Sequence, residues 1–165
     1  MSFAPFSFEN SPGSFPLVGK IPVSMKIAIL CTAFLALLQL GLALSISAMR
    51  RKFRISVGAP DDPDHPLSRT RTAFSNCAEW HPILIVLMLV LQMSGAPSWS
   101  IWLSPLVVAV RYLMVVGLVT FPNTRPNGVR VVGAAGTYLL TFLLCAMVVI
   151  TFWPAPGPFL ATPPK

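Results

Sequence analysis

The sequence predicts an all-α integral membrane protein that folds as an up-down bundle of four transmembrane helices. Two observations predict this class. Of the 165 residues, 55% are hydrophobic and only 10% are charged, whereas soluble domains carry roughly 25% charged residues. The apolar residues are also gathered in four segments, each long enough to cross a bilayer as a helix. A chain of this length is expected to form one membrane domain with short loops.

The four apolar segments are separated by turn-forming or polar stretches. The expected spans cover about residues 27–49, 73–93, 99–121 and 131–153. The linkers between them, "SVGAPDDPDHPLS", "SGAPS" and "PNTRPNG", contain the residues that favour turns and end helices. The membrane domain is therefore expected at 26–153. A Phe-, Pro- and Ser-rich tail, 1–25, precedes it, and a Pro-rich tail, 154–165, follows it.

The basic residues are unevenly divided between the two sides of this bundle. The net charge is +7, and eight of the twelve basic residues fall in the first and third loops: Arg50, Arg51, Lys52, Arg54, Arg69, Arg71, Arg125 and Arg130. The other side holds Lys20, Lys26 and Lys165. Because Lys and Arg are enriched in cytoplasmic loops, we expect both loops on the cytosolic side and both termini opposite. The lipid bilayer is the expected partner, and nucleic acid is not.

Small and aromatic residues fit the same bundle. "GAAGT" in the fourth span places Gly133, Gly136 and Thr137 where helices can approach closely. The four tryptophans lie near span ends, as an interfacial aromatic belt requires. The three cysteines lie in or beside apolar runs without metal-type spacing, so we expect packing roles for them and no metal site.

A polar stripe opens the second span and raises the question of function. Thr72, Asn76 and Glu79 follow the spacing i, i+4, i+7, so they share one side of a helix. A charge inside the membrane costs at least ~2.5 kcal/mol, so Glu79 needs a partner, a wet cleft or a polar ligand. Arg50 and Arg111 are the candidate partners. A helix-stapling ion pair and a ligand pocket both remain open.

Three stretches of the chain resemble the MAPEG superfamily, the membrane-associated proteins of eicosanoid and glutathione metabolism. "LLQLGLALSISAMRRKFRIS" resembles the first span and its arginine-rich exit. "TAFSNCAEWHP" resembles the second-span signature with Asn, two residues, Glu, an aromatic residue, one residue and Pro. "RYLMVVGLVTFPNTR" resembles the third span and the arginine after it. Together they cover about residues 37–130.

The resemblance implies a homotrimer of four-helix bundles in the endoplasmic reticulum or another organellar membrane. It also implies glutathione bound between neighbouring subunits near the cytosolic face. Carried over by position, the glutathione-contacting residues are Arg50, Asn76, Glu79 and Trp80, and Arg125 is the catalytic residue that stabilises the thiolate. Arginine suits this role because it is always charged and donates well to anions. A lipophilic electrophile or lipid hydroperoxide would enter from the bilayer.

The sequence departs from the family pattern at three positions. Thr72 stands where the signature has an arginine, and Arg71 lies one position earlier. Met114 and Leu118 stand where third-span tyrosines commonly hold glutathione. Two main functions therefore remain open, and a regulatory lipid-binding scaffold is a third. One is a microsomal glutathione transferase or peroxidase, and the other is a non-catalytic accessory subunit of a larger membrane complex.

Overall fold

The computed structural model describes residues 21–124 and 127–153, and these residues form four long helices with no strand among them. The helices are α1 (Val23–Phe53), α2 (Pro66–Met93), α3 (Leu103–Thr120) and α4 (Gly128–Phe152), and a short 3-10 helix (Ser98–Trp102) leads into α3. All four are long and apolar enough to cross a membrane. The expected all-α, four-helix membrane bundle is confirmed.

The helix ends follow from local sequence. α2 begins at Pro66, well before the expected start at Ala73, because Pro66 fits the first helical position and His65 caps it by accepting from the N–H of Leu67. α4 begins after Asn127, whose side chain accepts from the N–H of Arg130 at 2.8 Å. α1 ends at Phe53, because the next residue, Arg54, adopts a left-handed conformation with φ 56°.

Each helix packs against the next helix in the sequence, and α1–α3 and α2–α4 contacts are also present. α1 packs mainly on α2, and α3 mainly on α4, while α2 also contacts α3 and α4 and α1 also contacts α3. The α3–α4 contact is close because glycines face backbone. A Cβ atom built on Gly133 would lie 2.7 Å from the backbone of Met114, and one on Gly117 would lie 2.8 Å from the backbone of Arg130. The close approach expected at Gly133 is confirmed.

The core consists of two apolar clusters, one above the other along the bundle. The cluster nearer the first and third loops, the loop-end cluster, contains Leu42, Ala73, Cys77, Met114, Val115 and Leu118. The other, the distal cluster, contains Leu35, Leu84, Met88, Leu91, Leu103, Val107, Leu140 and Leu144. Between the two clusters in sequence, α1, α2 and α3 each place a polar residue in the interior of the bundle: half-buried Gln39 and the buried residues His81 and Arg111. We call these three residues the middle layer.

Candidate functional site

The first and third loops meet at the carboxylate of Asp64. Its Oδ1 accepts from the backbone N–H of Asn123 at 2.6 Å and of Thr124 at 3.3 Å, and its Oδ2 accepts from the Thr124 hydroxyl at 2.7 Å. Beside this contact, the guanidinium of Arg69 donates to the carbonyl of Thr120 at 3.3 Å. The two arginine-bearing loops therefore lie at the same end of the bundle.

We call the contacts of Asp64 with Asn123 and Thr124 the Asp64 clamp. This clamp is sensitive to acid. The hydrogen bond from the Thr124 hydroxyl is the main cause that holds the pKa of Asp64 below its ordinary value of 3.8, and the backbone N–H groups and the charge of Arg69 add to it. Since the folded pKa is depressed, the contribution to stability is present above pH 3.8 and is lost as the pH falls through the folded pKa.

We expect the amide protons of Asn123 and Thr124 to exchange faster with solvent as the pH is lowered from about 5 to about 3, after correction for intrinsic exchange rates. Asp64→Asn should show the faster exchange at both pH values, because a neutral amide is a weaker acceptor. Hydrogen exchange with mass spectrometry measures this. Asp61→Asn is the matched control, since Asp61 is an exposed carboxylate of the same loop. Equal protection in wild type and Asp64→Asn at pH 5 would contradict the clamp.

The polar side chains of α2 and α3 meet inside the bundle. Arg111 is 1% exposed, and its Nη2 donates to the side-chain oxygen of Asn76 at 2.8 Å, to the backbone carbonyl of Asn76 at 3.1 Å and to the sulfur of Cys77 at 3.4 Å. Its Nε has no hydrogen-bond partner among the described residues. A buried guanidinium is thus held by neutral acceptors, and Asn76 is the main one.

Glu79 does not form the ion pair with Arg111 that the sequence offered as one alternative. Arg111, one of its two expected partners, is directed to Asn76 and Cys77 instead. Glu79 itself is exposed on the outer surface of α2. A Glu79–Arg111 staple is therefore wrong as an account of helix packing in this chain, because Asn76 lies closer to the inner face of α2 and takes the arginine.

The remaining candidate residues are spread over the loop end and the outer surface. Arg50 is half-buried and lines a recess of about 350 Å³ with Arg51, Arg54, Ile55 and Ser56. Trp80 is half-buried, and its ring lies 5.3 Å from that of Tyr138. Arg125 lies outside the described residues. One chain brings Asn76 to Arg111 but places Arg50 in a recess of its own.

A second recess lies at the start of α2 and contains Arg71, the arginine that lies one position before Thr72. It has a volume of about 370 Å³ and is lined by Ala59, Pro60, Ser68, Arg71, Thr72 and Ser75. Arg71 and Thr72 are both exposed and border the same space. Arg71 is the cation among the lining residues. The Thr72 hydroxyl donates to the carbonyl of Ser68 at 3.0 Å.

The two third-span departures are core residues. Met114 is 7% exposed and Leu118 is 1% exposed, and both belong to the loop-end cluster. Their apolar side chains pack inside the bundle. The two polar recesses described above, at Arg50 and at Arg71, do not include Met114 or Leu118 in their walls.

Sequence reasoning missed two features of this region. The Asp64 clamp had no signal beyond the polarity of the first loop, because three aspartates occur there and only the fold selects one. The Asn76–Arg111 contact had a usable signal. Two polar residues inside neighbouring apolar spans must find acceptors and donors, and each is the other's nearest option.

Together these features define a class of protein: a membrane-embedded four-helix bundle with a polar middle layer and a basic end where its first and third loops meet. The sequence profile of the MAPEG family matches residues 28–150, about three-quarters of the chain. The chain belongs to this family of membrane proteins in eicosanoid and glutathione metabolism, and the resemblance read from its motifs is confirmed. No curated protein matches the sequence.

Proposed function

We propose that this protein binds glutathione on the outer side of α2 and uses its thiol to conjugate or reduce a lipophilic electrophile dissolved in the bilayer. The observation that carries the proposal is the recess of Ser68, Arg71, Thr72 and Ser75. It combines the cation of Arg71 with hydroxyl groups, which suits the carboxylates and amides of a peptide. MAPEG family membership supports glutathione as that peptide.

The recess continues into a polar stripe that runs along α2. Ser68, Thr72, Ser75 and Glu79 follow the spacing i, i+4, i+7, i+11, and the last three are exposed. Residues with this spacing form one side of a helix. Arg71 at one end and Glu79 at the other give the stripe opposite charges. An extended tripeptide with a carboxylate and an ammonium group complements such a pair.

The stripe also supports a homotrimer. A carboxylate exposed on the outer side of a membrane helix is costly unless a partner faces it, and among the described residues Glu79 forms no ion pair with an arginine. A neighbouring subunit that brings its own Arg50 recess to this side would supply the cation. The glutathione site would then lie between subunits, with Arg50 from one and Glu79 and Trp80 from the other, while Asn76 holds Arg111 inside the bundle.

Arg125 is the residue we assign to the chemistry. A thiol reacts as its thiolate, and a nearby cation favours that form. Arg125 directly follows Thr124, which the Asp64 carboxylate binds. Because basic loops face the cytosol, the site would lie on the cytosolic side of the membrane. That membrane would be the endoplasmic reticulum or another organellar membrane.

We expect the purified protein to bind glutathione saturably at millimolar concentration, measured by isothermal titration calorimetry in detergent micelles. Arg71→Ala and Glu79→Gln should each weaken binding at least about tenfold, the loss of one charge-assisted hydrogen bond. Lys26→Ala is the control, since Lys26 is exposed at the other end of the bundle. The absence of saturable glutathione binding to the wild-type protein would contradict the proposal.

A non-catalytic accessory subunit of a larger membrane complex is the second candidate. The buried Met114 and Leu118 favour it, because they occupy with apolar core the positions where many relatives place glutathione-holding tyrosines. Native mass spectrometry of gently solubilised membranes distinguishes the two. An accessory subunit should appear with other membrane proteins. A homotrimer of 17.9 kDa chains that turns over a chlorodinitrobenzene acceptor with glutathione would count against this role.

A further inference from the structure

The end of α1 concentrates positive charge at the membrane surface. The recess of about 350 Å³ described above lies there, and two exposed arginines, Arg51 and Arg54, line it together with half-buried Arg50, Ile55 and the exposed Ser56. Among the described residues that line this recess, none is acidic. The recess is therefore a cationic site whose own walls supply no anion.

The backbone of this turn satisfies the last carbonyls of α1 without help from the arginine side chains. The N–H of Ile55 donates to the carbonyl of Arg50 at 3.0 Å, and the N–H of left-handed Arg54 donates to that of Arg51 at 3.4 Å. This pair of hydrogen bonds is a common way for a helix to end. The guanidinium groups of Arg51 and Arg54 are thus not needed to cap the helix and can bind an external anion.

An exposed apolar stripe of α1 leads from the membrane interior to this recess. Leu37, Leu40 and Leu44 precede Arg51 by 14, 11 and 7 residues, so the four lie on one side of the helix, and all four are exposed. The hydroxyl of Ser47, on the same side, donates back to a carbonyl of α1 at 3.0 Å. The stripe from Leu40 to Arg51 is about 16 Å long, and one leaflet of hydrocarbon is about 15 Å thick. An acyl chain along these leucines would therefore place its headgroup at the recess.

The charge of the recess selects the kind of headgroup. A guanidinium group binds a phosphate through two parallel hydrogen bonds. The choline group of phosphatidylcholine is itself a cation and is repelled by the arginines, whereas an anionic phospholipid offers its phosphate without that cost. We propose that Arg51 and Arg54 bind the phosphate of an anionic phospholipid whose acyl chain lies along the stripe of Leu37, Leu40 and Leu44.

This lipid site goes beyond the proposed glutathione site and does not depend on it. Arg50 lies about 100° around α1 from Arg51, on the side that it shares with half-buried Ala43 and Ile46. Glutathione between subunits would use Arg50 on that side, whereas the lipid uses the exposed side of α1. Failure of glutathione binding would leave the lipid site standing, and loss of the lipid site would leave Arg71 and its recess unaffected.

Native mass spectrometry of the full chain, purified and stripped of lipid in a neutral detergent, measures the affinity for each lipid. The probes are dioleoylphosphatidylglycerol and dioleoylphosphatidylcholine, which have the same acyl chains and differ in net charge. We expect the protein to bind phosphatidylglycerol about tenfold more tightly, because two arginines attract its uncompensated phosphate. Equal affinity for the two lipids overturns the proposal.

Arg51→Ala and Arg54→Asn should each reduce this preference about threefold or more. Asparagine is the choice at position 54 because it tolerates the left-handed conformation of this residue. Lys52→Ala is the matched control. It removes the same charge from the neighbouring position, but the ammonium group of Lys52 lies 5.6 Å from the centre of the Phe53 ring and outside the recess. An equal loss in Lys52→Ala and Arg51→Ala would mean that diffuse charge attracts the lipid, and it overturns the site.

Two competitors identify the occupant. Glycerol 3-phosphate, at the concentration of the lipid, should not displace phosphatidylglycerol because it has no acyl chain to lie along the leucines. Saturating glutathione should not displace it either. Displacement by glycerol 3-phosphate would make the recess a site for free phosphate, and displacement by glutathione would assign Arg51 and Arg54 to the glutathione site, so either result overturns the lipid assignment. Absence of binding by both phospholipids also overturns it, because a second copy of the chain then covers the stripe.

Discussion

Asn76→Leu should destabilise the protein by about 3 kcal/mol, because it removes the side-chain acceptor of a guanidinium that is 1% exposed. Arg111→Met should cost less, about 1 kcal/mol, since it removes the buried charge itself and leaves only a neutral amide without its donor. The free energy of unfolding, measured by titration with sodium dodecyl sulfate in mixed micelles, gives both values.

The double variant Asn76→Leu/Arg111→Met decides the interpretation. If Asn76 acts on stability by solvating Arg111, the double variant should be more stable than Asn76→Leu alone, since no buried charge remains. Gln92→Leu combined with Arg111→Met is the control pair, and its effects should add because Gln92 bonds Ser100 and not Arg111. Simple additivity of Asn76→Leu and Arg111→Met would contradict the coupling.

Gly133→Ala should cost about 3 kcal/mol, at the upper end of the range for overpacked positions. Its new methyl group would lie 2.7 Å from both the N and Cα atoms of Met114, and backbone atoms cannot move aside as a flexible side chain can. The α3 and α4 helices must therefore separate. Detergent denaturation followed by circular dichroism measures the loss.

The chain offers two matched controls for this glycine. A methyl group at Gly136 would meet the side chain of Val110 and not the backbone of α3, so Gly136→Ala should cost less than Gly133→Ala. Gly41 has open space around it, and Gly41→Ala should be neutral or stabilising by about 0.5 kcal/mol. Equal losses for Gly133→Ala and Gly41→Ala would show that close helix packing is not what this glycine provides.

The architecture could be predicted from the sequence because membrane spans carry a redundant signal. Each helix contains a long apolar run, and turn residues separate the runs, so errors of several residues at the ends leave the bundle unchanged. The start of α2 shows such an error. Its first two turns, from Pro66 to Thr72, are too polar to join an apolar span, yet the cap at His65 and the first-turn proline extend the helix there.

The candidate site was less predictable because it depends on which side of a helix each residue takes. Asn76 and Glu79 are three positions apart and share a stripe in the sequence. In the bundle, Asn76 turns inward to Arg111, whereas Glu79 stays outside. That division follows from the rotation of α2 against α3, which the packing of side chains such as Cys77 and Val115 sets, and no local motif encodes it.

The Asp64 contact has a mechanical consequence. The α1–α2 hairpin and the α3–α4 hairpin are separate units in the chain, and at the loop end one carboxylate bridges them through Asn123 and Thr124. The rigidity of this end is then a property of a short exposed linker and not of the membrane-embedded packing. Evolution could tune it by changing a single loop residue without altering any helix–helix contact inside the bilayer.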